Sequence, residues 1–276
     1  MVLKLIINIL KLFINEYYKI HMIYNAYKKL SKSLYGSGLG KIGFIRNIHL
    51  RLLKDLTPKI VKFEGLKMHH LGFVDIKNYN FFNVIKQNVH PGDTVLDIGA
   101  NIGLWTMRMS KLVGNTGKVY AFEPEVKNFQ VLKKNIELNN LDNVVLEQKA
   151  LSDIDGISYL ELSKDSGQHK LSTTGVKIES VTLDNYLKES VDFIKMDAEG
   201  SEYKILKGMK NILKNKDVTL VTEFYYKLLD NPIEFINILE NHFKIYDMRD
   251  DMKLLDKNEF FLKYNIHSGA TDLLCK

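Results

Sequence analysis

Acidic side chains crowd one place in the sequence, where a short apolar run gives way to a polar turn. Residues 193–196 are followed by Asp197, Glu199 and Glu202. Crowding raises carboxylate pKa values, and a carboxylate with a raised pKa is suited to take the proton of a hydroxyl group. Glu223 ends the next apolar run and would face the same crevice in a parallel sheet. We predict Asp197, Glu199 and Glu223 as catalytic residues, and Glu202 as a stabilising charge in the first turn of the following helix.

The same carboxylates have a second possible use, because they supply the hard oxygen ligands that Mg²⁺ prefers. A bound metal would lower the pKa of an acceptor hydroxyl. The spacing does not require a metal, so no metal ligand is assigned and magnesium remains an alternative. His169, in a polar segment between strands, is a further candidate base, although a solvent-exposed loop histidine is the commoner outcome. Lys195 is expected to pair with one of the acids, because its strand should be covered on both faces.

A glycine-bearing turn follows an earlier apolar run and precedes a helical pattern. The segment reads Asp97-Ile98-Gly99-Ala100-Asn101-Ile102-Gly103. Gly99 allows a sharp turn and lets a ligand approach the backbone, and the N–H groups at the helix start favour a polar or anionic ligand. Asp97 ends the strand, which is where open α/β sheets bind ligands.

The spacing of this turn separates two classes of cofactor. A dinucleotide site would read Gly-x-Gly-x-x-Gly, whereas this turn reads Gly-x-x-x-Gly after an acidic residue. The pattern favours S-adenosylmethionine (SAM), whose cationic amino group Asp97 would hold. Glu123 closes the next strand, where a carboxylate can accept hydrogen bonds from both ribose hydroxyls. We predict Asp97, Gly99, Asn101, Gly103 and Glu123 as cofactor-binding residues.

Four motifs together resemble the FkbM-type methyltransferases. They are residues 97–103, Phe122-Glu123-Pro124, Ala150-Leu151-Ser152-Asp153 and residues 194–202. The resemblance runs from about His90 to the C-terminus, and it implies a class I SAM-dependent fold and methylation of a hydroxyl group. Family members act on polyketides, sugars and cell-surface glycans, so the acceptor does not follow from it. In this fold the region of Ser152 and Asp153 meets the adenine ring, although the same residues also suit a turn.

Alternating strand and helix patterns position these motifs. Apolar runs at 94–98, 118–122, 144–150, 193–196 and 218–222 each precede a helical or polar stretch, which predicts a mostly parallel sheet covered on both faces. Two late runs, 243–248 and 270–274, are expected to pair antiparallel at the sheet edge. The fold class is therefore α/β, doubly wound and Rossmann-like. We place the methyltransferase domain at 81–276 and an N-terminal extension, with a small β-hairpin at 60–69, at 1–80.

The extension differs in charge from the rest of the chain. Residues 1–90 hold 15 Lys and Arg against 4 Asp and Glu, whereas the whole chain has a net charge of +6. Its first 17 residues form an amphipathic pattern that is too short and too lysine-rich to span a bilayer. Packing on the domain and peripheral membrane contact through residues 1–34 both remain open. A single cysteine, Cys275, fits a reducing cytoplasmic location.

Three functions fit these observations to different degrees. We expect an O-methyltransferase whose partner is a hydroxyl-bearing small molecule or glycan. A nicotinamide-dependent oxidoreductase would need the missing third glycine and a Tyr-x-x-x-Lys pair. A membrane-docking protein that keeps the fold without catalysis is the third alternative. No nucleic-acid partner is expected, since the Asn/Asp-Pro-Pro-Tyr/Phe tetrapeptide of amine methylation is missing from the sequence.

Overall fold

A computed structural model describes residues 60–70, 79–163, 169–265 and 269–276 of the chain. The amphipathic pattern, the glycine-rich segment at 35–43 and the suggested membrane contact at 1–34 lie outside these residues. The chain divides into two compact units, Met1–Lys62 with His69–Asp75 and Phe63–Met68 with Ile76–Lys276. No helix within the described ranges is long and apolar enough to cross a bilayer.

The strands and helices follow the predicted alternation through most of the second unit. The strands are β1 Ile60–Phe63, β2 Leu66–His69, β3 Thr94–Ile98, β4 Lys118–Phe122, β5 Val144–Glu147, β6 Ala150–Leu151, β7 Gly156–Glu161, β8 Lys170–Ser172, β9 Val176–Val181, β10 Phe193–Met196, β11 Thr219–Phe224, β12 Ile245–Asp247, β13 Lys253–Leu254 and β14 Thr271–Cys275. The helices are α1 Tyr79–Asn88, α2 Leu104–Val113, α3 Val126–Leu138, α4 Leu183–Tyr186, α5 Glu202–Lys207, α6 Pro232–Glu240 and α7 Lys257–Lys263.

An eight-stranded sheet with the order β13-β12-β14-β11-β10-β3-β4-β5 forms the centre of this unit. Strands β5, β4, β3, β10 and β11 run parallel to one another. Strand β14 runs antiparallel to both β11 and β12, which confirms the predicted antiparallel pairing of the late strands. The predicted hairpin is present as the two-stranded sheet β1-β2.

Hydrophobic cores lie on both faces of the large sheet. Phe193 packs in a cluster with α1 and α2, whereas its neighbour Ile194 packs in a cluster with α5, α6 and α7. Because successive side chains of a strand point to opposite faces, these two clusters are on opposite sides of the sheet. The doubly wound α/β architecture is thus confirmed.

The segment between β5 and β10 differs from the simple alternation. The run predicted at 144–150 ends as a strand at Glu147, and Ala150 begins a second sheet of order β6-β9-β7-β8. Strand β9 alternates buried and exposed positions from Ile178 to Ser180, and in β7 the buried Leu160 precedes the exposed Glu161. This alternation is typical of a half-buried sheet rather than a crossover helix.

Candidate functional site

The turn after β3 adopts a backbone that suits glycine at its key positions. Gly99, Asn101 and Gly103 have φ values of 74°, 51° and 92°. A Cβ atom on Gly99 would lie 1.8 Å from the carbonyl oxygen of Asp197. The N–H of Gly99 donates to the carbonyl of Phe122 at 3.1 Å. The turn is therefore closely packed between the ends of β4 and β10, and a side chain at position 99 would force these elements apart.

Asp97 is fully buried beneath this turn. Thr106 Oγ1, on the first turn of α2, donates to Asp97 Oδ2 at 2.5 Å. Asp97 Oδ1 lies 3.3 Å from the ammonium of Lys195 and makes no well-directed hydrogen bond within the described part of the chain. A buried carboxylate oxygen with spare accepting capacity fits a ligand that carries hydrogen-bond donors.

Glu123 lies at the same edge of the sheet, one strand away. Register pairs Asp97 with Ala121, so Glu123 follows two residues beyond the position beside Asp97. Its two carboxylate oxygens accept from the N–H groups of Asn101 at 2.8 Å and Glu125 at 2.9 Å. Burial raises the pKa of Glu123 to about 7. Each oxygen retains a second lone pair, so the carboxylate stabilises the turn and can still accept from ligand hydroxyls.

Ser152 and Asp153 follow β6 and contact the helix α5. Asp153 Oδ2 accepts from Lys207 Nζ at 2.6 Å. Burial alone would raise the pKa of Asp153, but the hydrogen bond and charge of Lys207 lower it overall. The side chain of Ser152 is buried, and a Cβ atom on Gly208 would lie 2.0 Å from its carbonyl oxygen. This close approach fixes the Ser152–Asp153 turn against the end of α5.

Lys195 connects the turn after β3, residues 99–103, to the acidic segment after β10, residues 197–202. Its buried ammonium donates to the carbonyl of Gly99 at 2.9 Å and lies 3.3 Å from Asp97 and 3.8 Å from Asp197. Burial would lower the pKa of Lys195, yet the charges of Asp97 and Asp197 hold it above its ordinary value. The predicted pairing of Lys195 with one of the acids is confirmed. The lysine is charged and serves as an anchor between β3 and β10.

The predicted catalytic acids meet at the carboxyl ends of β10 and β11. Glu199 has a left-handed backbone with φ of 51°, which is strained for a residue with a side chain. Burial, with the charges of Asp197 and Glu202, raises the pKa of Glu199 to about 7. Burial and the same neighbours raise the pKa of Glu223 to about 8. The side chain of Asp197 is 45% exposed, so this edge is open to an incoming molecule.

Asp272 is a further acid at this edge that the sequence analysis did not single out. It lies on β14 directly opposite Glu223. Burial raises the pKa of Asp272 to about 6, although Arg249 opposes this. The signal was the register of the last strand, which places Asp272 beside Glu223 once the two strands are paired. Thr106 was also missed, because its contact with Asp97 depends on how α2 leaves the turn.

Glu202 and His169 each accept a hydrogen bond from a backbone N–H group nearby in the sequence. Glu202 begins α5, as predicted, and its buried carboxylate accepts from the N–H of Ala198 at 2.6 Å. His169 directly precedes β8, and its Nδ1 accepts at 3.0 Å from the N–H of Ser163, which follows the end of β7. Among the described residues, no group of three or more His, Cys, Asp or Glu side chains is arranged to hold a metal ion.

The chain is similar to known proteins in sequence and in structure. The family described as "Methyltransferase FkbM domain" matches residues 97–253. Hexuronic acid methyltransferase AglP of Haloferax volcanii is 28% identical over 145 residues, which cover 50% of this chain and 59% of that protein. The tRNA (adenine(58)-N(1))-methyltransferase catalytic subunit TRM61 of Yarrowia lipolytica is 29% identical over 125 residues, which cover 44% of this chain and 30% of that protein. The similarity thus spans about three-fifths of the length of AglP and less than a third of the length of TRM61.

The crystal structure of methyltransferase FkbM from Methylobacillus flagellatus is similar with a TM-score of 0.44 and 14% identity. The similarity covers 72% of this chain and 59% of that one.

Proposed function

The chain belongs to the family of the methyltransferase FkbM domain, and from this premise we propose that it transfers a methyl group from SAM to a hydroxyl group of a sugar or glycan. The observation that carries the proposal is the shared sheet edge of Asp97, Glu123 and the three acids Asp197, Glu199 and Glu223. A cofactor side and an acceptor side then meet at the carboxyl ends of β3, β4, β10 and β11, where open α/β sheets bind ligands.

The residues on the cofactor side fit SAM in their chemistry. The buried oxygen of Asp97 and the carboxylate of Glu123 are acceptors, which suits an amino group and ribose hydroxyls. Gly99, Asn101 and Gly103 curve the backbone around the space between them. Ser152 and Asp153 are proposed to contact the adenine ring. When bound, SAM supplies an electrophilic methyl carbon on a positively charged sulfur.

Glu199 is the proposed general base. With a pKa of about 7, it is half ionised near neutral pH, which is close to the optimum for proton transfer from a hydroxyl. Its place in the turn beside Lys195 and Gly99 brings it next to the cofactor side. The Glu199 carboxylate would take the hydroxyl proton as the acceptor oxygen bonds to the methyl carbon, and the sulfur of SAM would leave with the electrons of the broken C–S bond. Correct positioning of the acceptor would supply much of the rate.

Glu223 and Asp197 are proposed to orient the acceptor. Glu223, with a pKa of about 8, is mostly protonated at pH 7 and can donate a hydrogen bond as well as accept one. Asp197 is ion-paired with Lys195 and accessible, so its carboxylate accepts from a second hydroxyl. Adjacent hydroxyls are characteristic of sugars, and AglP, a relative named as a hexuronic acid methyltransferase, supports a sugar acceptor. His169 is proposed only as a contact for the acceptor.

The acceptor class is tested by transfer of a radiolabelled methyl group from SAM to a neutral oligosaccharide, a hexuronate oligosaccharide and tRNA. We expect label in a saccharide and at least a 100-fold loss in Asp197→Asn. Asp230→Asn is the matched control, because Asp230 is exposed and its ion pair with Lys204, at 2.9 Å, lies on the surface. Label in tRNA alone would contradict the proposed acceptor, and full activity in Asp197→Asn would contradict its role.

A further inference from the structure

The turn of the β1–β2 hairpin is bound tightly to helix α2. The carboxylate of Glu64 accepts from Arg108 through two hydrogen bonds, at 2.7 Å from Nη2 and 3.2 Å from Nε. The backbone carbonyl of Glu64 accepts from Lys111 Nζ at 2.9 Å. Arg108 and Lys111 lie nearly one turn apart on α2, so a single residue of the hairpin is bound at two points along one side of the helix.

Arg108 is almost completely buried, which is unusual for an arginine. Its guanidinium lies over the rings of Phe63 at 5.3 Å, Phe82 at 4.4 Å and Trp105 at 5.0 Å, measured to the ring centroids. The rings shield the guanidinium from water, whereas the Glu64 side chain at the other end of the ion pair is 36% exposed. Hairpin, α1 and α2 therefore meet at one buried cation.

The second strand of the hairpin is bound to the end of helix α3. The side chain of Asn139, which caps the C-terminus of α3, accepts from the N–H of Lys67 at 2.8 Å and donates to the carbonyl of the same residue at 2.6 Å. Asn139 Nδ2 also donates to the carbonyl of Asn135 at 2.7 Å. One short hairpin thus bridges α2 and α3.

Helices α2 and α3 both contact the turn at residues 99–103 and the end of β3 before it, which form the proposed cofactor site. On α2, Thr106 donates to the buried Asp97. On α3, Asn135 Nδ2 donates to the carbonyl of Ile102 at 2.7 Å. The side chain of Leu132, also on α3, lies so close to Gly103 that a Cβ atom on Gly103 would clash with it. A change in the separation of α2 and α3 would therefore be transmitted directly to the turn.

We propose that the hairpin segment Phe63–Lys67 is a clamp that fixes α2 relative to α3 and so holds the turn 99–103 in its cofactor-binding form, with Arg108 as the central positioning residue. The inference rests on the proposed SAM site. The hairpin lies outside the residues that match the FkbM domain family, 97–253. The cofactor site of this chain is consequently completed by a segment that precedes the family domain.

The test compares Glu64→Gln and Arg108→Lys in the full chain with Glu259→Gln. Glu64→Gln preserves size and removes the charge that pairs with Arg108. Glu259 is the matched control, because it is 67% exposed and pairs with Lys253 at 2.6 Å on the surface. Amide hydrogen exchange of the unliganded proteins and the Kd for SAM by calorimetry are measured. We expect faster exchange at residues 99–106 in both clamp variants and about a 10-fold higher Kd, which corresponds to about 1.4 kcal/mol.

The outcomes separate the clamp from the proposed function. Faster exchange confined to residues 60–70, or a Kd within twofold of the wild type, would overturn the clamp. A uniform increase of exchange, equal in the second sheet and in the turn, would reduce Arg108 to a general stabilising role and would also overturn it. Failure of the wild-type protein to bind SAM would refute the cofactor, and exchange at residues 99–106 would still decide whether the clamp positions the turn.

Discussion

Replacing Glu202 with glutamine should make the protein more stable at pH 8 and change its stability little at pH 5. Glu202 is completely buried, and burial raises its pKa from 4.5 to about 7. A difference of this size between the unfolded and folded pKa corresponds to about 3 kcal/mol when fully expressed. Glutamine has the same shape and retains an oxygen that can accept from the N–H of Ala198.

The sign of the pH dependence follows from the pH range in which the folded and the unfolded chain each bind a proton at Glu202. Below about pH 4.5, Glu202 is protonated in both the folded and the unfolded chain. Between pH 4.5 and about 7 the unfolded chain ionises while the folded chain keeps its proton, so the free energy of unfolding falls as pH rises. Above about pH 7 both forms are ionised and the loss is complete.

Urea unfolding at pH 5 and pH 8 measures this effect, with Glu234→Gln as the matched control. Glu234 occupies the equivalent first turn of α6 but is exposed. We expect the stability gain of Glu202→Gln over the wild type to be roughly 2.5 kcal/mol larger at pH 8 than at pH 5. The control should show no such pH dependence. Equal gains at the two pH values would refute the raised pKa of Glu202.

Three further predictions concern the site itself. Lys195→Met leaves Asp97 as a buried carboxylate without its cation, so the free energy of unfolding in urea should fall by about 3–5 kcal/mol; a loss below 1 kcal/mol would show that Asp97 does not depend on Lys195. Gly99→Ala should lower both Tm and SAM affinity, because the added Cβ would lie 1.8 Å from a backbone carbonyl oxygen. Gly114→Ala is the control, because Gly114 also has a positive φ but has open space around it, so its effects should be smaller. Equal effects of the two substitutions would exclude the clash as the cause. The methyl-transfer rate should rise with pH through about 7 as Glu199 loses its proton, and Glu199→Gln should abolish this rise; an unchanged profile would exclude Glu199 as the base.

The sequence predicted that the residues proposed for the cofactor side lie at one sheet edge, because the signals for this placement are local. Asp97, Gly99 and Gly103 lie within seven residues, and a strand, a turn and a helix follow one another directly. Glu123 required one further strand of the same kind. Where adjacent parallel strands carry these residues, their carboxyl ends must meet at one edge, so proximity followed from topology.

The parts that were missed depend on long-range pairing. Asp272 comes to Glu223 only through the register of an antiparallel strand about 50 residues later in the chain. The second sheet was missed because β6 and β8 have only two and three residues, too short to give a clear period. The hairpin itself was predicted, but the ion pair of Glu64 with the buried Arg108 joins residues 44 apart and leaves no local pattern.

Calorimetric titration of the full-length protein with SAM, repeated in the presence of NADH, tests the central claim most directly. If Asp97, Glu123 and the turn between them form a site for an adenosyl amino acid, each chain binds one molecule of SAM. Excess NADH then does not reduce the apparent affinity for SAM. Binding of NADH by folded protein that gives no heat with SAM would contradict the account.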